Sequence, residues 1–376
     1  MTLDNYKQCT KTIMDNIADP QIIFDDKGVC NYVREYERLV RMRIPPSGKL
    51  EENLRLIIDK IKSAGKGKEY DCIIGLSGGV DSSYVAYLVV QYGLRPLAIH
   101  LDNGWDSELA VSNIEKLIKK LNIDLFTEVL DWNEFKDIQL SYLKASVPDG
   151  EIPTDHAIYA TLYKYASKFK IKYILSGTNI RTEGILPRSW ARGHLDFKYI
   201  KGIVKKFGKV KIRQFPHLTL FRLLLYNLFG NLKMISLLDY VDYNKSDATK
   251  ILEDNLGWIR YGSKHYESVY TRFYQGFILP RKFNIDKRKA HLSTLICSGQ
   301  IDRESALNEI KLPPYLDSDL LRQDLEFVRK KLNITQTEFD KVMDAPPKSI
   351  NDFPNNFELI EKFRTIYNFL KKRKII

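Results

Sequence analysis

A chain of 376 residues exceeds the roughly 250–300 that one hydrophobic core usually organises, so two domains are expected. With 44% hydrophobic and 28% charged residues, and no apolar run of about 20, the composition is that of a soluble globular protein and argues against a transmembrane segment. The excess of 59 Lys and Arg over 47 Asp and Glu, a net charge of +12, suits an anionic ligand: nucleotide, nucleic acid, membrane surface or phosphorylated sugar. Four cysteines are too few for a disulfide framework, and no signal-type apolar segment opens the chain, so a cytoplasmic protein is expected.

Residues 1–48 read as a short N-terminal module. Its cysteines stand in Cys9-Thr10-Lys11-Thr12 and Cys30-Asn31-Tyr32-Val33. Between them, Ile22-Ile23-Phe24 followed by Asp25-Asp26-Lys27-Gly28 predicts a strand and a turn. A zinc knuckle takes four ligands, commonly from two Cys-x-x-Cys pairs, and here Thr12 and Val33 occupy the second places, so zinc is not expected. Pro45-Pro46-Ser47-Gly48 marks a linker, and Leu50 to Ser63 is an amphipathic helix.

The next stretch runs Asp71-Cys72-Ile73-Ile74-Gly75-Leu76-Ser77-Gly78-Gly79-Val80-Asp81-Ser82-Ser83-Tyr84. Cys72 to Leu76 has the β-branched, apolar character of a buried strand, and Val80 to Tyr92 reads as a helix. A strand, a glycine turn and a helix N-terminus together form an anion site, because glycines let successive N–H groups wrap an oxyanion. No Gly-Lys-Ser/Thr follows the glycines, so this is not a Walker A loop, and the dinucleotide Gly-x-Gly-x-x-Gly is absent. Ser-Gly-Gly-x-Asp-Ser resembles the PP-loop of the N-type ATP pyrophosphatases, which cleave ATP between the α and β phosphates.

Strands and helices then alternate to about residue 180. Pro96 to Leu101, Leu125 to Leu130 and Tyr173 to Ser176 are predicted strands; Ser107 to Leu121 and Thr154 to Phe169 are predicted helices. The expected fold is α/β, a parallel doubly wound sheet over residues 49–195, with its ligand beyond the carboxyl ends of the strands. That places Ser77–Ser83, His100–Trp105 and Gly177–Gly184 around one crevice. Residues 196–376 are expected to form a mostly helical domain for substrate or partner. Within it, Lys198 to Arg213 carries seven basic residues and no acidic one, and Phe215 to Leu238 is strongly apolar. A hairpin and helix packed in the second domain is preferred here to a membrane-surface element. Arg303 to Ile310, Leu316 to Lys331 and the capping box Thr335-x-x-Glu338 are helix signals, and Lys371 to Lys374 reads as a solvated tail.

Four clusters carry possible chemistry. Ser77, Gly78, Gly79, Ser82 and Ser83 form the glycine turn. In Ser176 to Pro187, Gly177 and Thr178 can approach a phosphate, Arg181 can bind one, and Glu183 with Asp81 can hold Mg2+. Asp155-His156 follows Pro153 at a helix start, where the histidine is either a general base or an ordinary polar residue. Gly257 to Gly299 interleaves basic and aromatic residues, suited to nucleic-acid bases, to a nucleotide sugar, or to a core with a basic rim.

Across nearly its whole length the chain resembles the N-acetyl sugar amidotransferase family of the PP-loop ATP pyrophosphatases, which acts in lipopolysaccharide O-antigen and related surface-glycan biosynthesis. The resemblance rests on Ser77–Ser83, Leu101–Trp105, Asp155–Ala157, Gly177–Pro187, Lys264–Gln275 and His291–Gly299. Members begin with two Cys-x-x-Cys pairs, from which this sequence departs at Thr12 and Val33; whether Cys9 and Cys30 still lie together stays open. The resemblance implies conversion of an acetamido group on a nucleotide-linked sugar, such as a UDP-linked diacetamido uronic acid, to an acetamidino group. It assigns ATP and Mg2+ as cofactors, with His100 and Asp102 near the adenosine and Asp81, Asp155, His156 and Arg181 at the reaction. Trp105, Lys264, His265, Arg272, Arg281 and Lys282 would face the acceptor. Neither Cys72, in a buried strand, nor Cys297 has the setting of a glutaminase nucleophile, so ammonia is expected from a separate glutaminase subunit. The family is associated with such a glutaminase and a cyclase-like partner, both similar to those of histidine biosynthesis; no nucleic acid is expected. The rivals are a PP-loop tRNA-modifying enzyme, which would want paired cysteines, and a nucleotide-binding module without catalysis.

Overall fold

The computed structural model describes residues 5–228, 232–262, 266–315 and 317–362. Its centre is a five-stranded, wholly parallel sheet: β1 (Cys72–Gly75), β2 (Pro96–Asp102), β3 (Asp124–Val129), β4 (Tyr173–Ser176) and β5 (Lys233–Ser236), in the order β3-β2-β1-β4-β5. Ile74 stands opposite Ala98 on one side and Leu175 on the other. The chain therefore winds outward from β1 through β2 to β3, then crosses to the other side of β1 for β4 and β5. The reversal lies between β1 and β4, where such sheets open a crevice.

Strands β1, β2 and β4 are largely buried on both faces, so neighbouring side chains enter different cores. Cys72 and Ile74 join Ala98, Tyr173 and Leu175 in one cluster, while Ile73 joins Leu97, Ile99 and Ile174 in another. The first core is covered by α2 (Leu50–Gly65), α3 (Val80–Gln91) and α4 (Glu108–Leu121), and the second by α6 (Ile152–Lys168). Ser107, predicted as the first helical residue, instead caps α4 by accepting from the Ala110 N–H at 3.2 Å. Helix α6 starts two residues before Thr154, with Pro153 in its first turn, where a missing N–H costs nothing.

Several elements have no counterpart in the predicted set, among them α1 (Asn31–Arg43), α5 (Trp132–Ala145) and strand β5. The basic stretch forms α8 (Phe197–Phe207), which follows the four-residue α7 (Ile180–Glu183) and packs on α5 through Tyr142 and Tyr199, ring centres 5.8 Å apart. After α9 (Leu220–Leu228) the apolar stretch returns not as a hairpin but as β5, whose Lys233 N–H donates to Lys172 O at 2.9 Å. Helix α10 (Lys245–Leu256) then packs on α3.

The C-terminal helices are α11 (Val269–Phe273), α12 (Leu279–Phe283), α13 (Lys287–Cys297), α14 (Arg303–Lys311), α15 (Ser318–Leu332) and α16 (Gln336–Asp344), the last with the predicted capping box. A π turn at Tyr274–Ile278 joins α11 to α12, just before Pro280. The largest apolar cluster runs from Cys9 and Tyr36 through Phe135 and Tyr199 to Phe277, Phe339 and Phe357, so all three expected segments share one core. Among the described residues no helix is long and apolar enough to cross a membrane. The Lys371–Lys374 tail lies outside the described residues.

Candidate active site

The turn after β1 has the geometry of an oxyanion cradle. Gly78 adopts φ +78°, and a Cβ there would also stand 2.9 Å from Ala110 O, so only glycine fits. Ser82 ties the turn down: its hydroxyl donates to Gly79 O at 3.1 Å and accepts from the Ser77 N–H at 3.2 Å. Ser77 is exposed at the mouth, whereas Ser83 is fully buried with its hydroxyl lacking a hydrogen-bond partner among the described residues. Two aromatic donors fix the turn from behind. Trp258 Nε1 and Tyr261 OH both donate to Gly78 O at 3.0 Å, which leaves the turn's N–H groups directed elsewhere.

Asp81, in the first turn of α3, faces the β4 side. Its carboxylate accepts from Tyr243 OH at 2.7 Å and Asn179 Nδ2 at 3.3 Å, with Lys245 Nζ at 3.8 Å. Gly177 makes this approach possible, since a Cβ there would stand 2.9 Å from Asp81 C and Ser82 N. Thr178 is exposed beside it, its hydroxyl 3.0 Å from Ser176 Oγ. Glu183 is exposed at the end of α7, and its charge acts on Tyr243, the partner of Asp81. Burial first, then Asp81, drive the Tyr243 hydroxyl far above its usual range, keeping it a proton donor to Asp81.

Asp155 reaches the same crevice from α6. Water meets its side chain, yet the crevice walls, then the charges of Glu151 and Glu183, push its carboxyl up to about 7, with Lys287 opposing. Glu151 lies one turn earlier and is held by Lys287 Nζ at 2.6 Å and Gln275 Nε2 at 2.9 Å. Gln275 rides on the π turn, a distortion frequent at functional sites. On the β2 side, His100 bonds Leu76 O at 2.9 Å and Asp106 at 3.1 Å. Burial works against its charge, but Asp106 outweighs it and the imidazole pKa is raised. Asp102 accepts the Gly104 N–H at 2.7 Å, closing the loop after β2. That loop is stitched to the C-terminal segment: Ser107 N donates to Glu267 O at 2.8 Å and Val269 N to Trp105 O at 2.9 Å.

The structure does not bring the other expected residues to the crevice. His156 is fully buried, with Nδ1 on His194 O at 2.7 Å and Nε2 accepting from the Leu218 N–H at 3.0 Å, and burial pulls its pKa down to about 4. Both ring nitrogens serve the backbone, which leaves none to move a substrate proton. Trp105 is a core residue whose Nε1 donates to Gln139 at 2.7 Å. Arg272 makes a two-pronged pair with Asp324 at 2.7 Å, and Lys282 caps α16 through the carbonyls of Val342 and Ala345. Arg281 is exposed with its guanidinium over Phe277, 4.2 Å from the ring centre. Lys264 and His265 lie outside the described residues. Sequence reasoning missed Asn179, Tyr243, Lys245, Glu151 and Lys287. Asn179, inside the Ser176–Pro187 stretch, and Lys287, inside the basic and aromatic Gly257–Gly299 stretch, carried a signal; the other three did not.

At the N-terminus, Cys9 and Cys30 do lie together: the Cys30 N–H donates to Cys9 Sγ at 3.2 Å, and Thr12 Oγ1 is 3.9 Å from Cys30 Sγ. The Cys30 thiol beside it brings Cys9 down to about 5, and Cys30 is pushed up in return. Two thiols with Thr12 and Val33 do not fit a structural zinc, which takes four thiolate or imidazole ligands. Among the described residues no group of three or more His, Cys, Asp or Glu is placed to hold a metal.

Two family models match the chain. "LPS biosynthesis protein WbpG-like, C-terminal domain" covers residues 267–365, and "NAD synthase" covers residues 50–213. A tRNA-specific 2-thiouridylase MnmA 2 of Fusobacterium nucleatum is 28% identical over 113 residues, 28% of this chain and 32% of that protein. A glutamine-hydrolyzing GMP synthase of Pyrobaculum aerophilum is 32% identical over 110 residues, 28% of this chain and 20% of that protein. The chain thus spans about a third or less of the length of these relatives. Among solved structures, an NMN synthetase from Francisella tularensis matches at 19% identity and TM-score 0.29, over 57% of this chain and 88% of that one. An NH3-dependent NAD synthetase from Campylobacter jejuni matches at 13% identity and TM-score 0.31, over 80% and 98%.

Proposed function

We propose that this chain, a WbpG-like member of the PP-loop ATP pyrophosphatase family, is an amidotransferase that converts an acetamido group of a nucleotide-linked sugar to an acetamidino group. The observation that carries the reading is the meeting of the two matched segments: Gln275 and Lys287 of the WbpG-like part hold Glu151, one turn from Asp155, at the crevice of the PP-loop. A surface-glycan acceptor, as in O-antigen assembly, accords with that segment.

The chemistry has two steps. The acceptor's amide oxygen attacks the α-phosphorus of ATP, pyrophosphate leaves, and the amide N–H proton is lost, giving an O-adenylated imidate. Ammonia then adds to the imidate carbon, the C–O bond breaks, AMP departs with the former amide oxygen, and the amidine remains. The N–H groups of the turn, with Ser77 and Ser82, would hold the departing pyrophosphate. Lys245 offers a cation to the phosphates, and Tyr243 and Asn179 keep Asp81 aimed at them. The carboxylates of Asp81 and Glu183 would hold Mg2+, which supplies charge neutralisation on the phosphates. Asp155, titrating near neutrality, is suited to take the proton that ammonia sheds.

Both free thiols considered for a glutaminase are unsuited to it: burial raises Cys72 and brings Cys297 up to about 11, far from an activated thiolate. Ammonia would therefore come from a separate glutaminase subunit with its cyclase-like companion. Neither of these two thiols offers the activated sulfur that tRNA thiolation, the reading that the 2-thiouridylase likeness favours, would need. Incubation with ATP, Mg2+, ammonium and a UDP-linked diacetamido uronic acid should yield AMP, pyrophosphate and a sugar lighter by the difference between O and NH. ADP with phosphate, or turnover indifferent to the sugar, would overturn the reading.

A further inference from the structure

Beside the crevice, on the β4 side of the PP-loop, a groove runs between α1 and α7. Two adjoining cavities of about 340 and 580 Å³ make it up, sharing Val40, Arg41, Ile44 and Arg181 as common walls. Both volumes lie in the range of small-molecule sites, about 300–1,000 Å³. One wall is apolar, formed by Val40, Ile44 and, farther along, Leu50. Two guanidinium groups face the groove as well, Arg41 from α1 and Arg181 from α7.

Arg181 is the more informative of the two. Its Nε is buried and has no hydrogen-bond partner among the described residues. Among the described residues its one ion pair, to Asp242 at 3.5 Å, ends on a carboxylate that is 90% exposed, where water screens most of the attraction. A mostly buried guanidinium with an idle donor is costly unless a ligand anion completes it. Arg41 stands across the groove and is exposed. Glu37, one turn before it on α1, is engaged by Lys11 at 2.8 Å. Two guanidiniums against an apolar wall match a ligand that joins a flat ring to paired phosphates.

The groove is also placed for an acceptor. Arg181 lies two residues from Asn179, which bonds Asp81, and two from Glu183. The loop after β2, with His100 and Asp102, is on the opposite flank of the turn. We propose that the groove between α1 and α7 binds the nucleoside diphosphate portion of the acceptor, with Arg41 and Arg181 on its phosphates and Val40, Ile44 and Leu50 along its base. This deepens the reading above and rests on it for the nucleotide-linked nature of the acceptor. It also gives the N-terminal helix a substrate-selecting role that the PP-loop alone lacks.

The test is calorimetric titration of UDP into the full chain, with and without saturating α,β-methylene ATP. UDP should bind in both conditions, and inorganic pyrophosphate more weakly, because it lacks the base that meets the apolar wall. Arg41→Glu and Arg181→Gln should each weaken UDP about tenfold or more, and in the Arg41 variant the affinity for the ATP analogue should stay unchanged. Arg41 is exposed, so its variant should melt at the wild-type temperature. Displacement of UDP by the analogue, equal binding of pyrophosphate, wild-type UDP affinity in both variants, or no UDP binding would overturn the groove. Sugar-dependent AMP formation is scored separately. If it fails while UDP still binds through Arg41, the acceptor chemistry falls and the groove stands; if it succeeds without any effect of Arg41 and Arg181 on UDP, the groove alone falls.

Discussion

Asp81 is held by three neighbours that arrive from different parts of the chain: Tyr243, Asn179 and Lys245. Asp81→Asn keeps a side chain of the same shape and removes the charge. AMP formation should fall by ~10²-fold or more, on the scale of losing one well-placed electrostatic group, with the melting temperature little changed. Wild-type turnover in that variant would remove Asp81 from the metal site. Asp155 carries a pH signature. If its ionised form accepts the proton shed by ammonia, the rate at saturating ammonia should climb with an apparent midpoint near 7, the value to which the crevice raises it, and Asp155→Asn should lose that limb. Asp149 shows the same physics in stability. It is 5% exposed, and burial raises its carboxyl to about 7. The folded state therefore holds its proton more tightly than the unfolded chain, so stability is fullest below the unfolded pKa of about 4 and declines as pH rises toward 7. Asp149→Asn should flatten that decline in urea melts taken across this window. At this scale the serine–glycine turn was legible because local backbone chemistry dictates it. The fates of His156, Arg272 and Lys282 were not, since partners 38 to 63 residues away decide them.

Among the elements, those with strong local punctuation were readable and those without it were not. Helix α4 announces itself with Ser107 and a helical apolar spacing, and α16 with Thr335 and Glu338. Strand β5 has only four residues, none fully buried, and acquires its state from pairing with β4. Helix α1 lacks a side-chain cap and is held by packing Val33 and Tyr36 into the shared core. Helix α5 begins with a clear cap, Asp131 accepting from Glu134 N at 2.9 Å, but its apolar spacing is diluted by buried polar residues. One of these, Glu134, is 6% exposed and accepts the N–H groups of Arg213, Gln214 and Phe215, all at 2.9 to 3.0 Å. It thereby fixes the turn that carries the chain from α8 toward α9. Glu134→Ala would leave these donors unpaired and should cost about 3 kcal/mol in chemical denaturation. A loss under 1 kcal/mol, about that of a surface change, would mean that water replaces the carboxylate.

For the whole molecule, the parallel sheet and its winding followed from alternating short apolar runs and helices, which is why that part of the fold could be read early. The joining of N-terminal module, sheet and C-terminal helices through one apolar cluster could not, because contacts such as those of Tyr36 and Phe277 leave no periodic trace. That joining brings the WbpG-like segment to the PP-loop, where Gln275 and Lys287 grip Glu151 and the segment around Glu267 closes the loop after β2. On the proposed function, ATP is spent on the acceptor's own amide oxygen. This is tested most directly by preparing the nucleotide-linked acetamido sugar with a heavy-oxygen label in the acetamide carbonyl and following the label by mass spectrometry during turnover with ATP, Mg2+ and ammonium. Label should leave the sugar and appear in AMP, one atom per amidine formed. Label that stays in the sugar or passes to water, or unlabelled AMP released at the full rate, would contradict it.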